Sequence, residues 1–150
     1  MSQRIALSAD HAGFALKDEL AAWLRDAGHE VTDLGTNSAD SVDYPDFGAR
    51  LGRAITAGEA DRGIAVCGSG IGISIAINRF AGCRCALVSD PLSAELARTH
   101  NDANVLALGA RLVGPDMARA CVLAFLVSDF LGGRHQRRVD QLSNLLQDSD

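Results

Sequence analysis

Five times in succession, a short β-rich apolar run is followed by a longer run of helical period. This alternation is the strongest constraint on what the chain can fold into. The strand candidates are Arg4–Ala9, His29–Leu34, Arg62–Cys67, Arg84–Ser89 and Asn104–Leu108. Several are almost continuously apolar, as in Gly63-Ile64-Ala65-Val66-Cys67, the pattern of a strand covered on both faces. Helices fill the intervals. The first, about Gly13–Ala27, carries Phe14, Leu16, Leu20, Trp23 and Leu24 on one stripe and stops at Gly28. The second, about Pro45–Ala57, has proline in its first turn and stops at Gly58. Three more open after Gly72, Pro91 and Pro115, and a sixth runs from about Gln136 to Leu146.

Five β–α units in series predict an α/β fold: a Rossmann-like three-layer αβα sandwich with a five-stranded parallel sheet, right-handed crossovers and a C-terminal helix. The chain has 150 residues, the length of one domain, so a single domain over 1–150 is expected. A domain of that size buries roughly 68–70% of its unfolded surface and requires no disulfide or metal staple. Ligands of such sheets bind beyond the carboxyl ends of the strands, near the point where strand order reverses. The loops of interest are therefore Asp10–Gly13, Gly35–Tyr44, Cys67–Gly72, Ser89–Leu92 and Gly109–Arg111.

Charge and cysteine usage narrow the partners. A net charge of -5 opposes broad binding to nucleic acid or to an acidic membrane, with Arg134 to Arg138 (RHQRR) as a local exception. The most apolar late run, Cys121 to Val127, is too short to span a bilayer. Met1 to Gln3 pass directly into a strand-like run, so no signal peptide is expected. Four cysteines without a C-x-x-C pair are expected to stay reduced, consistent with a cytoplasmic location. Cys83-x-Cys85 lacks an accompanying ligand pair, so no metal is expected.

The strongest chemical feature is Cys67-Gly68-Ser69-Gly70-Ile71-Gly72 at a strand-to-helix turn. Alternate glycines let the backbone approach a ligand, and the helix that follows offers unpaired N–H donors. Such a turn holds a phosphate or a developing oxyanion. The spacing is not G-x-G-x-x-G and the turn follows the third strand, which disfavours a dinucleotide site. Cys67 ends the strand facing this turn, where a thiolate would serve as a base near neutral pH. Read alone, it is equally a small apolar strand residue. Cys83, Cys85 and Cys121 lie in core-like runs. Asp10 and His11 follow the first strand. They suit sugar hydroxyls and phosphate, although Asp10 also fits the cap of the helix near Gly13. His29 reads as a surface residue without a role. His100 and Asn101 follow the fourth helix, where an imidazole suits acid–base work or complements the helix dipole. Arg111 follows the fifth strand. Arg134 and Arg138, four apart, share a helix face that fits either a phosphate grip or a solvated basic surface.

Taken together, Ser8-Ala9-Asp10-His11-Ala12-Gly13, Asp43-Tyr44-Pro45-Asp46, Cys67 to Gly72, His100-Asn101-Asp102-Ala103-Asn104, Gly109-Ala110-Arg111 and Gly132 to Arg138 resemble the ribose-5-phosphate isomerase B family. That family also includes galactose-6-phosphate and allose-6-phosphate isomerases, and the resemblance covers nearly the whole chain. It implies an aldose–ketose isomerase acting through an enediolate without a cofactor. Cys67 would be the base, and His100 would open the furanose ring. Ser69 and the Gly70 to Gly72 backbone would stabilise the enediolate oxygen, with Gly68 and Ile71 in the same cradle. Asp10 would bind sugar hydroxyls, Asn101 would hold substrate beside His100, and Tyr44 would line the sugar site. Arg111, Arg134 and Arg138, with His11, would bind the phosphate.

The resemblance further implies a homodimer, sometimes paired into a tetramer, with the active site between subunits. One branch of the family uses a glutamate six positions beyond a glycine that replaces the cysteine. Here those positions are Ile73 and Cys67, so the chain resembles the thiol branch. Ser69 stands where other members carry threonine. Alternative expectations are a hexose 6-phosphate substrate or a non-catalytic sugar-phosphate-binding module.

Overall fold

A strand that is apolar on both faces requires a helical layer on each side. The structure, a computed structural model, describes residues 1–145. Its elements in chain order are β1 (Arg4–Ala9), α1 (Phe14–Asp26), β2 (Glu30–Asp33), α2 (Tyr44–Thr56), β3 (Arg62–Cys67), α3 (Ile71–Ile77), β4 (Cys85–Leu87), α4 (Pro91–Thr99), β5 (Val105–Gly109), α5 (Pro115–Val127) and α6 (Arg134–Asn144). The five strands form one parallel sheet in the order β2-β1-β3-β5-β4.

The central strands divide their side chains between two cores. Ile5, Leu7 and Ala9 of β1, Ile64 and Val66 of β3, and Leu106 and Leu108 of β5 pack with α1, α4 and α5. The alternate residues Ala6, Ala65, Cys67, Val105 and Ala107 meet Leu51 of α2 and Ile73 and Ile77 of α3. The two-residue period of a strand produces this division. Fully buried Leu7, Leu106, Leu108 and Phe125 anchor the first core, each worth roughly 1.5–3 kcal/mol of apolar burial. Among the described residues, no helix is long and apolar enough to cross a membrane.

Several boundaries differ from expectation. β4 is only Cys85–Leu87, because it is an edge strand paired with β5 alone. Helix α3 opens at Ile71 rather than after Gly72, since Gly70 adopts a left-handed φ of 78° and serves as its N-cap. Helix α6 begins at Arg134, after the chain reverses at Gly132 and Gly133 (φ 66° and 55°). Its expected end at Leu146 lies outside the described residues. His29 is half-buried rather than free, and its Nδ1 accepts the Gln3 N–H at 3.1 Å.

Lys17, inside the apolar stripe of α1, is fully buried. Its Nζ donates to both carboxylate oxygens of Asp33 at 2.8 and 2.7 Å and to Asp18 at 2.8 Å. Asp33 also accepts the Gly35 N–H at 2.9 Å, which ties α1 to the end of β2. The side chain of Asp33 keeps 21% exposure whereas that of Lys17 keeps none, so the two partners have unequal alternatives. Asp33→Asn is expected to cost about 3 kcal/mol, because it leaves a buried ammonium short of its main counter-charge. Lys17→Met is expected to cost less, because water reaches the released carboxylate. Urea denaturation of both variants measures the difference, and an equal or reversed order would contradict this account.

Candidate active site

In the strand order found, β1 and β3 are neighbours whose onward connections run to opposite sides of the sheet, which makes the gap between their carboxyl ends the switch point. Residue pairing brings those ends level, with Ala9 beside Val66 and Cys67 beside Gly109 of β5. A cleft of about 370 Å³ opens there. It is lined by Asp10, His11, Ala12, Tyr44, Cys67, Gly68, Ser69, Gly72, Arg111 and Leu112. Loops after β1, β2, β3 and β5 all contribute, while Ser89–Leu92 does not.

The glycine-rich turn is organised around the thiol. Cys67 is 4% exposed, and its Sγ accepts the Gly70 N–H at 3.1 Å. Next along, the Ile71 N–H donates to Ser69 Oγ at 3.2 Å. Two of the three N–H groups expected to face a ligand therefore already have acceptors inside the loop, and neither Gly70 nor Ile71 lines the cleft. Gly72 does line it, at the start of a helix whose first N–H groups lack intrahelical partners. The ring of Tyr44, at the first position of α2, packs so closely on Gly72 that a Cβ there would sit 2.5 Å from Cε1.

The other walls are fixed by short-range bonds. Asp10 is buried, and its Oδ1 accepts the Ala12 and Gly13 N–H groups at 3.0 and 3.1 Å. It thus shapes the entrance to α1 while standing in the cleft, although Gly13 is the N-cap. His11 Nδ1 accepts the Val42 N–H at 3.2 Å. That bond assigns the neutral tautomer with hydrogen on Nε2, free to donate to an anion. The Ala110 N–H donates to the Cys67 carbonyl at 2.9 Å and the Arg111 N–H to the Gly68 carbonyl at 3.0 Å. This stitching lays the guanidinium of Arg111 over Gly68, where a Cβ would lie 3.4 Å from Cζ.

His100, Asn101, Arg134 and Arg138 do not line this cleft. His100 is the C-cap of α4, with its N–H bonded to the Leu96 carbonyl at 2.9 Å. Its ring stacks on that of His135 in the first turn of α6, with centroids 4.3 Å apart and planes 13° apart. Burial, the neighbouring His100, and Arg134 and Arg138 together hold His135 below the usual imidazole range. The α4–α6 junction is therefore a second cluster, cationic and distinct from the cleft. Sequence reasoning missed His135, because its partner is remote in the chain and its arginine neighbours account for the local pattern.

The remaining cysteines do not compete with Cys67. Burial raises the thiols of Cys83 and Cys121, and burial with the nearby Cys83 pushes Cys85 up to about 12 although that residue keeps some exposure. Cys83 and Cys85 line a larger cavity of about 470 Å³ together with Phe80, Asn101 and Leu142, and its thiols stay protonated at neutral pH. Among the described residues, no group of three or more His, Cys, Asp or Glu is placed to hold a metal ion.

Comparison with known proteins finds relatives along nearly the whole chain. The profile of the ribose/galactose isomerase family matches residues 5–142. Ribose-5-phosphate isomerase B of Escherichia coli (strain K12) is 48% identical over 145 residues, covering 97% of each chain. The solved structure of Clostridium thermocellum ribose-5-phosphate isomerase B superposes with a TM-score of 0.95 at 46% identity, covering 97% of this chain and 99% of that one. The Leishmania infantum type B enzyme gives a TM-score of 0.94 at 42% identity, with both chains fully covered.

The left-handed turn yields a test of the cradle. A Cβ on Gly70 would meet Leu87 Cδ1 at 2.5 Å and the carbonyl carbon of Leu108 at 2.8 Å. Gly70→Ala is expected to cost about 1–2 kcal/mol from backbone handedness alone, and more from the overlap. A chemical denaturation curve unchanged by this substitution would contradict the geometry.

Proposed function

The chain belongs to the ribose/galactose isomerase family, and from that premise we propose that it interconverts ribose 5-phosphate and ribulose 5-phosphate through an enediolate, with Cys67 as the base. The observation that carries this reading is the Cys67 sulfur, held by the Gly70 N–H in a cleft shared with Asp10, His11, Ser69 and Arg111. In the open-chain aldose the proton on C2 is acidified by the adjacent carbonyl. Cys67 takes that proton and returns it to C1, while a proton moves between the two oxygens. The Ser69 hydroxyl and the Gly72 N–H are the groups at hand for the oxygen that becomes negative. Hydrogen moves as a proton throughout, so the step needs no redox partner. A positioned base contributes roughly 10²–10⁴-fold.

Phosphate binding and ring opening belong to the second cluster. Arg134 and Arg138 stand one helical turn apart on α6, with His100 and Asn101 beside its start at the end of α4. The cleft contributes Arg111 and the Nε2–H of His11. One chain separates the thiol from the imidazole, and a second copy related by two-fold symmetry would bring the two clusters together, so we read the active form as a homodimer. Apolar side chains available for such an interface include Ile71 and Ile75, one turn apart on α3, and Leu92 and Leu96, one turn apart on α4, all of them exposed. A cytoplasmic single-domain enzyme over 1–150, working as the dimer alone or as dimers paired into a tetramer, completes the proposal.

Cys67→Ala is expected to abolish turnover while leaving the fold intact, and full activity in that variant would exclude the thiol as base. Arg134→Ala and Arg138→Ala are expected to raise KM more than they lower kcat. Unchanged kinetics in both would defeat the phosphate assignment. Mixing Cys67→Ala with His100→Ala after subunit exchange is expected to recover about a quarter of wild-type activity, since half the dimers are mixed and each holds one intact site. No recovery on mixing would place the whole site in one chain. A panel of pentose and hexose phosphates separates the pentose reading from an allose or galactose 6-phosphate activity.

A further inference from the structure

The α4–α6 junction carries more order than a phosphate grip needs. Leu131 donates its N–H to the Thr99 carbonyl at 3.0 Å, which docks the segment preceding α6 onto the end of α4. The His135 N–H donates to the Gly132 carbonyl at 3.0 Å, which fixes the first turn of α6. Only Val139 of α6 is buried, so this docking and the ring stack hold a helix that is otherwise exposed. His100, at a C-cap, lacks the packing that a mid-helix residue gains from turns on both sides, and its rotamer depends on whatever covers its ring face. That cover is His135, 4.3 Å away and nearly parallel.

Building on the isomerase reading above, we propose that His135 is a positioning residue for ring opening: its stacked imidazole fixes the plane and reach of His100, the group that moves the proton at the furanose oxygen. In that step the bond between C1 and the ring oxygen breaks, the C1 hydroxyl loses its proton and the ring oxygen gains one, so that His100 must serve two oxygens from one ring orientation. A displacement of about 1 Å in such a group costs up to roughly 10²-fold. The groups facing His135 are His100 from α4 and Arg134 and Arg138 from its own helix. Burial first, then these neighbours, hold it below the usual imidazole range, so that it meets His100 as a neutral flat surface at neutral pH. Arg134 and Arg138 flank it on the same helix, which joins the phosphate grip and the ring-opening imidazole in one rigid unit.

The two directions of the reaction separate this role from every other. Ribose 5-phosphate is a furanose and must open. Ribulose 5-phosphate cannot close a furanose, because its C5 oxygen is esterified, so exchange of its C1 hydrogen with deuterated water needs the base but not the ring-opening step. His135→Ala is expected to lower kcat on ribose 5-phosphate roughly 10- to 10²-fold, with a smaller change in KM, while C1 exchange of ribulose 5-phosphate stays near the wild-type rate. His135→Phe, which restores a flat ring, is expected to recover most of the loss. His135→Leu, which fills the space without one, is expected to behave like alanine and carries the comparison if the alanine variant unfolds. Undiminished turnover of ribose 5-phosphate, equal loss of turnover and exchange, or a phenylalanine variant no better than leucine would each overturn the assignment. A wild-type protein that exchanged no hydrogen would instead overturn the isomerase reading, and this inference with it.

Discussion

Covering both faces of β1, β3 and β5 is the constraint from which the site follows. Small residues on one side, Ala6, Ala65 and Ala107, let α2 and α3 lie close to the sheet, while leucines and isoleucines on the other meet α1, α4 and α5. Parallel strands covered in this way end together, and the loops beyond their carboxyl ends carry backbone donors that the sheet ladder does not consume. Cys67 is the last residue of its strand and alternates onto the α2/α3 face. One position earlier or later, the sulfur would point into the opposite core or leave the strand altogether. The left-handed Gly70 then folds its N–H back onto that sulfur, so that one backbone torsion both starts α3 and holds the thiol at the cleft.

The candidate site residues are divided between two clusters. The cleft gathers a thiol, a hydroxyl, a carboxylate and a guanidinium from the ends of three different strands. The other cluster sits where α4 ends and α6 begins, with two imidazoles face to face and two arginines on the same helix as one of them. Each is preorganised by contacts within the chain, and preorganisation lets oriented groups act without rearrangement during reaction.

Two of the buried polar residues, Lys17 and Asp10, steer loops. Lys17 and Asp33 fix the turn that follows β2, and the Gly35 carbonyl in that turn accepts the Ala9 N–H at 2.8 Å, just before Asp10. Asp10 in turn holds the Ala12 and Gly13 N–H groups. A chain of charge-assisted and backbone bonds thus runs from α1, through β2, to the cleft wall. Lys17 falls on the apolar stripe of its helix, where periodicity alone offers no place for a charge, and its partner lies beyond the helix.

The α/β class, the parallel sheet, the helix order and the glycine turn after β3 were legible in the order of the amino acids, because each rests on local periodicity or on residues adjacent in the chain. So were the motifs that identify the isomerase family, and eight of the residues singled out, from Asp10 to Arg111, line one cleft. Folding in three dimensions set the rest: the strand order, the separation of His100, Asn101, Arg134 and Arg138 from that cleft, the pairing of His100 with His135, and the internal use of the Gly70 and Ile71 N–H groups. These depend on where distant segments meet and on which donors are already satisfied. Period and spacing carry no record of either, since both are settled by packing once the helices have taken their faces of the sheet.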